Sequence, residues 1–132
     1  MSDAKTIELV RLFADASGES RFETVRWPMA DQAFAPPAAP FQVSDAYPAQ
    51  HFVVIELPTG WGGAEPHPTP ARHLLLCLSG SFKVTASSGE VRSFTSGDAL
   101  LLEDTSGQGH RTEVTSAQPV RTVMIRLSKP PM

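Results

Sequence analysis

Four histidines are the side chains best suited to chemistry: His51, His67, His73 and His110. Two of them lie in Glu65-Pro66-His67-Pro68-Thr69-Pro70-Ala71-Arg72-His73. Six residues of straight strand span roughly 20 Å, too far for one shared ion. Prolines surround His67, however, and a reversal near Pro70-Ala71 can return the two rings to coordination distance. His110 follows a glycine-bearing loop, where the chain re-enters a strand. Three imidazoles converging there would suit Zn, Fe, Ni, Mn or Cu. Neutral imidazoles leave the ion's charge available to a substrate oxygen, with open positions for chemistry. The plainer alternative is that His67 and His110 line a cavity and bond to each other or to water. His73 is balanced between ligand and cavity lining. His51 is read as an ordinary strand residue, with a fourth-ligand role as the lesser alternative.

Other polar residues carry weaker signals. Glu103 is an open candidate for acid or base near the site. Asp104 reads as a solvated or turn-capping residue, as acids at strand ends commonly are. Arg72 and Arg111 flank two histidines, and a guanidinium fork suits a carboxylate. Strict alternation points each away from its neighbouring histidine, so a surface or interface role is expected. Trp61 is a candidate for the rim beside His67. No Cys-x-x-Cys, Gly-x-x-x-x-Gly-Lys or Gly-x-Ser-x-Gly occurs.

The elements that must hold these residues are short. Twelve prolines and nine glycines punctuate the chain. Runs rich in β-branched and aromatic residues lie between them, which predicts a sandwich or barrel rather than a helical bundle. Residues 7 to 15 read as a strand by alternation, with a short helix as the alternative. Residues 28 to 49 hold five prolines, which argues against central sheet. They are expected to wrap along the barrel as an arm pinned by Phe34 and Phe41. Further strands are expected over 50–57, 72–78, 81–86, 91–94, 99–103, 110–114 and 120–127. Ser87-Ser88-Gly89-Glu90 makes a hairpin turn. His73, Leu75 and Cys77 share one strand face, and Leu74, Leu76 and Leu78 the other.

A length of 132 residues fits one domain with one modest core. A net charge of −3 without basic clusters argues against a nucleic-acid partner. The apolar runs are too short to span a bilayer as helices. The first residues carry no charged start followed by an apolar stretch, and Cys77 is the lone cysteine. Both features lead to the expectation of a cytoplasmic protein.

From Gly60 to His110 the chain resembles the cupin superfamily, whose two short motifs bracket a hairpin. His67-Pro68-Thr69 stands for the first motif's His-x-His, His73 for its glutamate and Gly80 for its closing glycine. Gly97-Asp98 and His110 match the ends of the second. Thr69 replaces one histidine ligand and His73 replaces the glutamate. Glu103 stands where a proline is usual, and the loop after it is longer than usual. The string from Leu102 to His110 also resembles a subgroup of small bacterial single-domain cupins with a Glu-Asp-Thr-x-Gly-x-Gly-His second motif, and that likeness covers most of the chain. The position of His73 often holds glutamine in that subgroup.

The resemblance implies an all-β, cupin-type double-stranded β-helix, a jelly-roll barrel. Residues 1–132 would be one cupin domain, with N-terminal strands and the arm over 1–49 and the barrel over 50–128. It implies a divalent metal (Fe, Mn, Ni or Zn) on His67, His73 and His110. Oxidation, as in a dioxygenase, or isomerisation of a small organic molecule would follow. The alternative from a different class is a metal-free cupin that binds a small molecule without catalysis. Cupins commonly pair, so a homodimer is expected, with the outward leucine row buried between copies.

Overall fold

The computed structural model describes residues 5–63 and 65–129. Ten strands follow in chain order: β1 (Lys5–Ala14), β2 (Ser20–Gln32), β3 (Phe41–Ser44), β4 (Ala49–Leu57), β5 (His73–Ser79), β6 (Ser81–Ala86), β7 (Val91–Thr95), β8 (Ala99–Glu103), β9 (His110–Val114) and β10 (Val120–Leu127). Seven form one sheet in the order β3-β2-β1-β8-β5-β10-β4. The other three form a second sheet in the order β7-β6-β9. All neighbours are antiparallel except β1 and β8.

The period-two pattern decides which side chains meet. Leu12, Phe22, Cys77, Leu100, Leu102 and Val120 come from the large sheet. Phe82, Val84, Ala86 and Phe94 come from the small one. Together they make a single core, in which the rings of Phe82 and Phe94 stack with centroids 5.3 Å apart. Register keeps the inner face consistent across strands: Leu12 lies opposite Leu102, Leu75 opposite Leu100, and Cys77 opposite Thr122. A slip of one residue would turn that apolar set to the outside.

The outer face of the large sheet is also apolar. Leu74 and Leu76 are half-buried there and Leu78 is exposed. A groove of about 750 Å³ crosses this face, with Trp27, Tyr47, Leu74, Leu101, Ile125 and Leu127 among its walls. At one edge of the sheet lies β4, whose Phe52, Val53 and Val54 are 67%, 48% and 62% exposed.

The stretch 28–49 is partly sheet, which corrects the expectation of an irregular arm throughout. Strand β2 runs through Pro28 to Gln32, and β3 pairs with it from Met29 onward. Pro28 sits opposite Thr6, one residue before that second pairing begins. At this point β2 has one neighbour, the half-open position where a proline is tolerated. The pinning differs too. Phe34 and Phe41 face each other at 5.8 Å and stay exposed. The contact that ties the arm to the sheet is Trp27 on Tyr47, at 4.7 Å.

Candidate functional site

Two segments converge where β9 begins. His67 donates its N–H to the carbonyl of His110 at 3.1 Å, and His110 returns the bond at 3.0 Å. This bridge needs Gly109, whose φ is +74°. A Cβ there would lie 2.0 Å from the carbonyl carbon of His67. No side chain fits against backbone at that distance.

A buried hydrogen-bond chain locks the same place. Thr69 Oγ1 donates to Asp104 Oδ1 at 2.7 Å. His110 Nδ1 donates to Asp104 Oδ2 at 2.6 Å. The Thr69 N–H donates to the Asp104 carbonyl at 3.0 Å. Asp104 is fully buried, and Thr69 and His110 are nearly so. A carboxylate away from water is costly unless its oxygens are bonded, and here both are. Because a carboxylate oxygen accepts, His110 carries a proton on Nδ1, and in the neutral ring the lone pair is then the one on Nε2.

The other two candidates follow the same tautomer logic. His67 Nδ1 lies 3.1 Å from the Pro68 carbonyl, and His73 Nδ1 lies 2.7 Å from the Ala71 carbonyl. Each ring therefore has Nε2 open. The rings of His67 and His110 stand 5.5 Å apart, centroid to centroid. Parity turns His110 inward, since it lies opposite the buried Ala86. His73 faces inward opposite Leu102, two residues before Asp104. All three histidines thus occupy one end of the barrel.

An oxygen on Nδ1 is the outer-shell partner that metal-ligating histidines commonly have, so the donor chemistry suits a divalent ion. The convergence does not. Among the described residues, no group of three or more His, Cys, Asp or Glu side chains is placed to hold a metal. His67 and His110 form a pair, and the three-histidine centre does not fit the side chains as arranged.

Several other candidates point elsewhere. Glu103 follows Leu102 and so faces outward, between Arg11 and Arg72 Nε. Burial pushes its carboxyl up, but the hydrogen bonds from the two guanidiniums outweigh this and hold it below the usual carboxylate range. An ion-paired carboxylate on the outer wall is not an acid or base for the barrel interior. Arg72 is spent on Glu103, and Arg111 on Glu113 at 2.5 Å. Trp61 lies at the far end of β9 from His110, where its carbonyl accepts from Val114 at 2.8 Å. It does not stand beside His67. His51 lies opposite Arg126 on the inner parity of β4. The sequence reading passed over Arg126; its signal is parity, two residues after Met124 and four after the buried Thr122.

No family model matches the chain, and no curated protein matches it. Solved structures do. A conserved Streptococcus pyogenes protein of unknown function aligns at 15% identity and TM-score 0.44, over 61% of this chain and 65% of that one. A Bacteroides fragilis cupin protein aligns at 19% and 0.45, over 61% and 67%. A cupin domain from Schizosaccharomyces pombe aligns at 13% and 0.49, over 98% and 86%. The chain spans about two thirds of the length of the first two. The chain folds as a two-sheet barrel, and the ends of the two short motifs that resemble the cupin pattern are bridged at one mouth.

Two outcomes follow. Gly109→Ala should lower stability by about 2–4 kcal/mol, since both backbone conformation and space forbid a Cβ. The urea midpoint measures it, and an unchanged midpoint would contradict the bridge. For Glu103, a carboxyl held below its unfolded value stabilises the fold above the ordinary carboxylate range. That contribution is lost as pH falls through the folded value. Glu103→Gln should therefore destabilise at neutral pH by about 1–3 kcal/mol and flatten the acid limb of the stability–pH curve. Parallel curves for the two proteins would refute this.

Proposed function

We propose that this small cupin binds a small organic molecule in the barrel mouth through His110, without a metal ion. The observation that carries this reading is the Thr69–Asp104–His110 chain. It fixes one ring and one tautomer, and it leaves Nε2 open on the inward-facing side. Such a nitrogen accepts a hydrogen bond from a ligand hydroxyl or amide. The same pair is equipped to take a proton from a bound molecule, the elementary step of an isomerisation, with Asp104 orienting the ring. His67 stands beside it as a second polar contact.

The tautomers of His67, His73 and His110 favour a second reading, the divalent metal centre. Metal analysis of untagged protein after reconstitution with Fe, Mn, Ni and Zn separates the two. The expected content is far below one equivalent. One tightly held equivalent that is lost in both His67→Ala and His110→Ala would overturn the metal-free reading.

A second copy of this chain is the partner proposed for the outer face. The apolar groove there runs without a break toward the exposed edge, because Ile125 lies opposite both Leu74 and Phe52. Sizing at concentrations well above micromolar should give twice the 14.2 kDa chain mass. A monodisperse monomer would reject it.

A further inference from the structure

Three basic side chains stand in one cross-strand row on the inner parity of the large sheet. Arg126 on β10 lies opposite His51 on β4 and opposite His73 on β5. Directly opposed residues hold their Cβ atoms about 4.5–5.5 Å apart, on the same side of the sheet. The side is fixed by their neighbours. Val120 and Thr122 are buried, Met124 packs on the core, and Arg126 is next at that spacing. Leu75 and Cys77 place His73 on that side, and Leu57 places His51 there.

Among the described residues, the charge of Arg126 is unanswered. Arg11, Arg21, Arg26, Arg72, Arg111 and Arg121 each meet a carboxylate. Arg92 lies over the ring of Phe22. Arg126 meets no carboxylate among the described residues. Asp104 lies at the same end of the barrel, but its two oxygens are taken by Thr69 and His110. Two imidazoles and an uncompensated guanidinium, with no acid among them, make a receptor for an anion. His73 Nδ1 is taken by the Ala71 carbonyl, which leaves Nε2 to face a ligand.

We propose that the mouth takes an organic anion, a carboxylate or a phosphate, whose charged group is held by Arg126 between His51 and His73. This rests on the barrel-mouth reading, with the body of the ligand directed to His110.

The test is a ligand titration of the full chain. Histidine side-chain NMR is the readout. The probes are succinate, inorganic phosphate and the neutral isostere succinamide. Succinate or phosphate should shift the His51 and His73 resonances saturably, and the stronger of the two names the headgroup. Succinamide should not. Arg126→Gln should weaken the binding by about tenfold or more, while Arg126→Lys, which keeps charge but not the fork, should fall between. A succinamide response equal to that of succinate, or an unchanged affinity in Arg126→Gln, overturns the anion assignment. Shifts at His110 that persist with succinamide would leave the barrel-mouth reading intact while removing the anion. Succinate shifts confined to His51 and His73 would support the anion row and count against His110 as the floor of the site.

Discussion

The barrel mouth depends on one buried carboxylate. Asp104 has no exposed surface, and its side chain is held from two directions by Thr69 and His110. Removing either donor would leave a buried acceptor unpaired, which costs more than an average hydrogen bond contributes. The same residue anchors the backbone of Thr69 through its carbonyl. Three parts of the chain, the proline-rich segment before β5, the loop after β8 and the start of β9, are thereby pinned to one another. The approach of Gly109 to His67 follows from that pinning, and so does the direction of the His110 ring.

The all-β barrel was legible in the sequence because its signals are local. Alternation, turn glycines and an apolar run at 99–103 mark strands without reference to distant residues. Most of the later strands fall within two residues of their expected bounds. Strand β2 was less legible. It is rich in charge, with Arg21, Glu23 and Arg26, and it carries Pro28. Its pairing with β1 over ten residues, and with β3 from Met29 onward, reveals it as sheet.

The site was legible in its histidines and not in what holds them. Thr69 reads as a lost ligand when set against the cupin motif, yet in the fold it is a hydrogen-bond donor to Asp104. Asp104 reads as a solvated turn residue because acids usually are. Its burial comes from parity, since it continues the inward series of Leu100 and Leu102 past the strand end. Glu103, one residue earlier, falls on the opposite face for the same reason and is drawn to Arg11 and Arg72. The partners that satisfy each acid lie from 6 to 92 residues away along the chain, and no local pattern records them.

The edge strand β4 has a consequence of its own. Its nine residues contain neither proline nor lysine, and Phe52, Val53 and Val54 show to solvent on both faces. Proteins usually blunt such borders, because a row of unsatisfied peptide groups templates the addition of foreign strands. Here the border is left sharp. This margin, rather than the histidine-lined mouth, is where a further strand would add to the sheet.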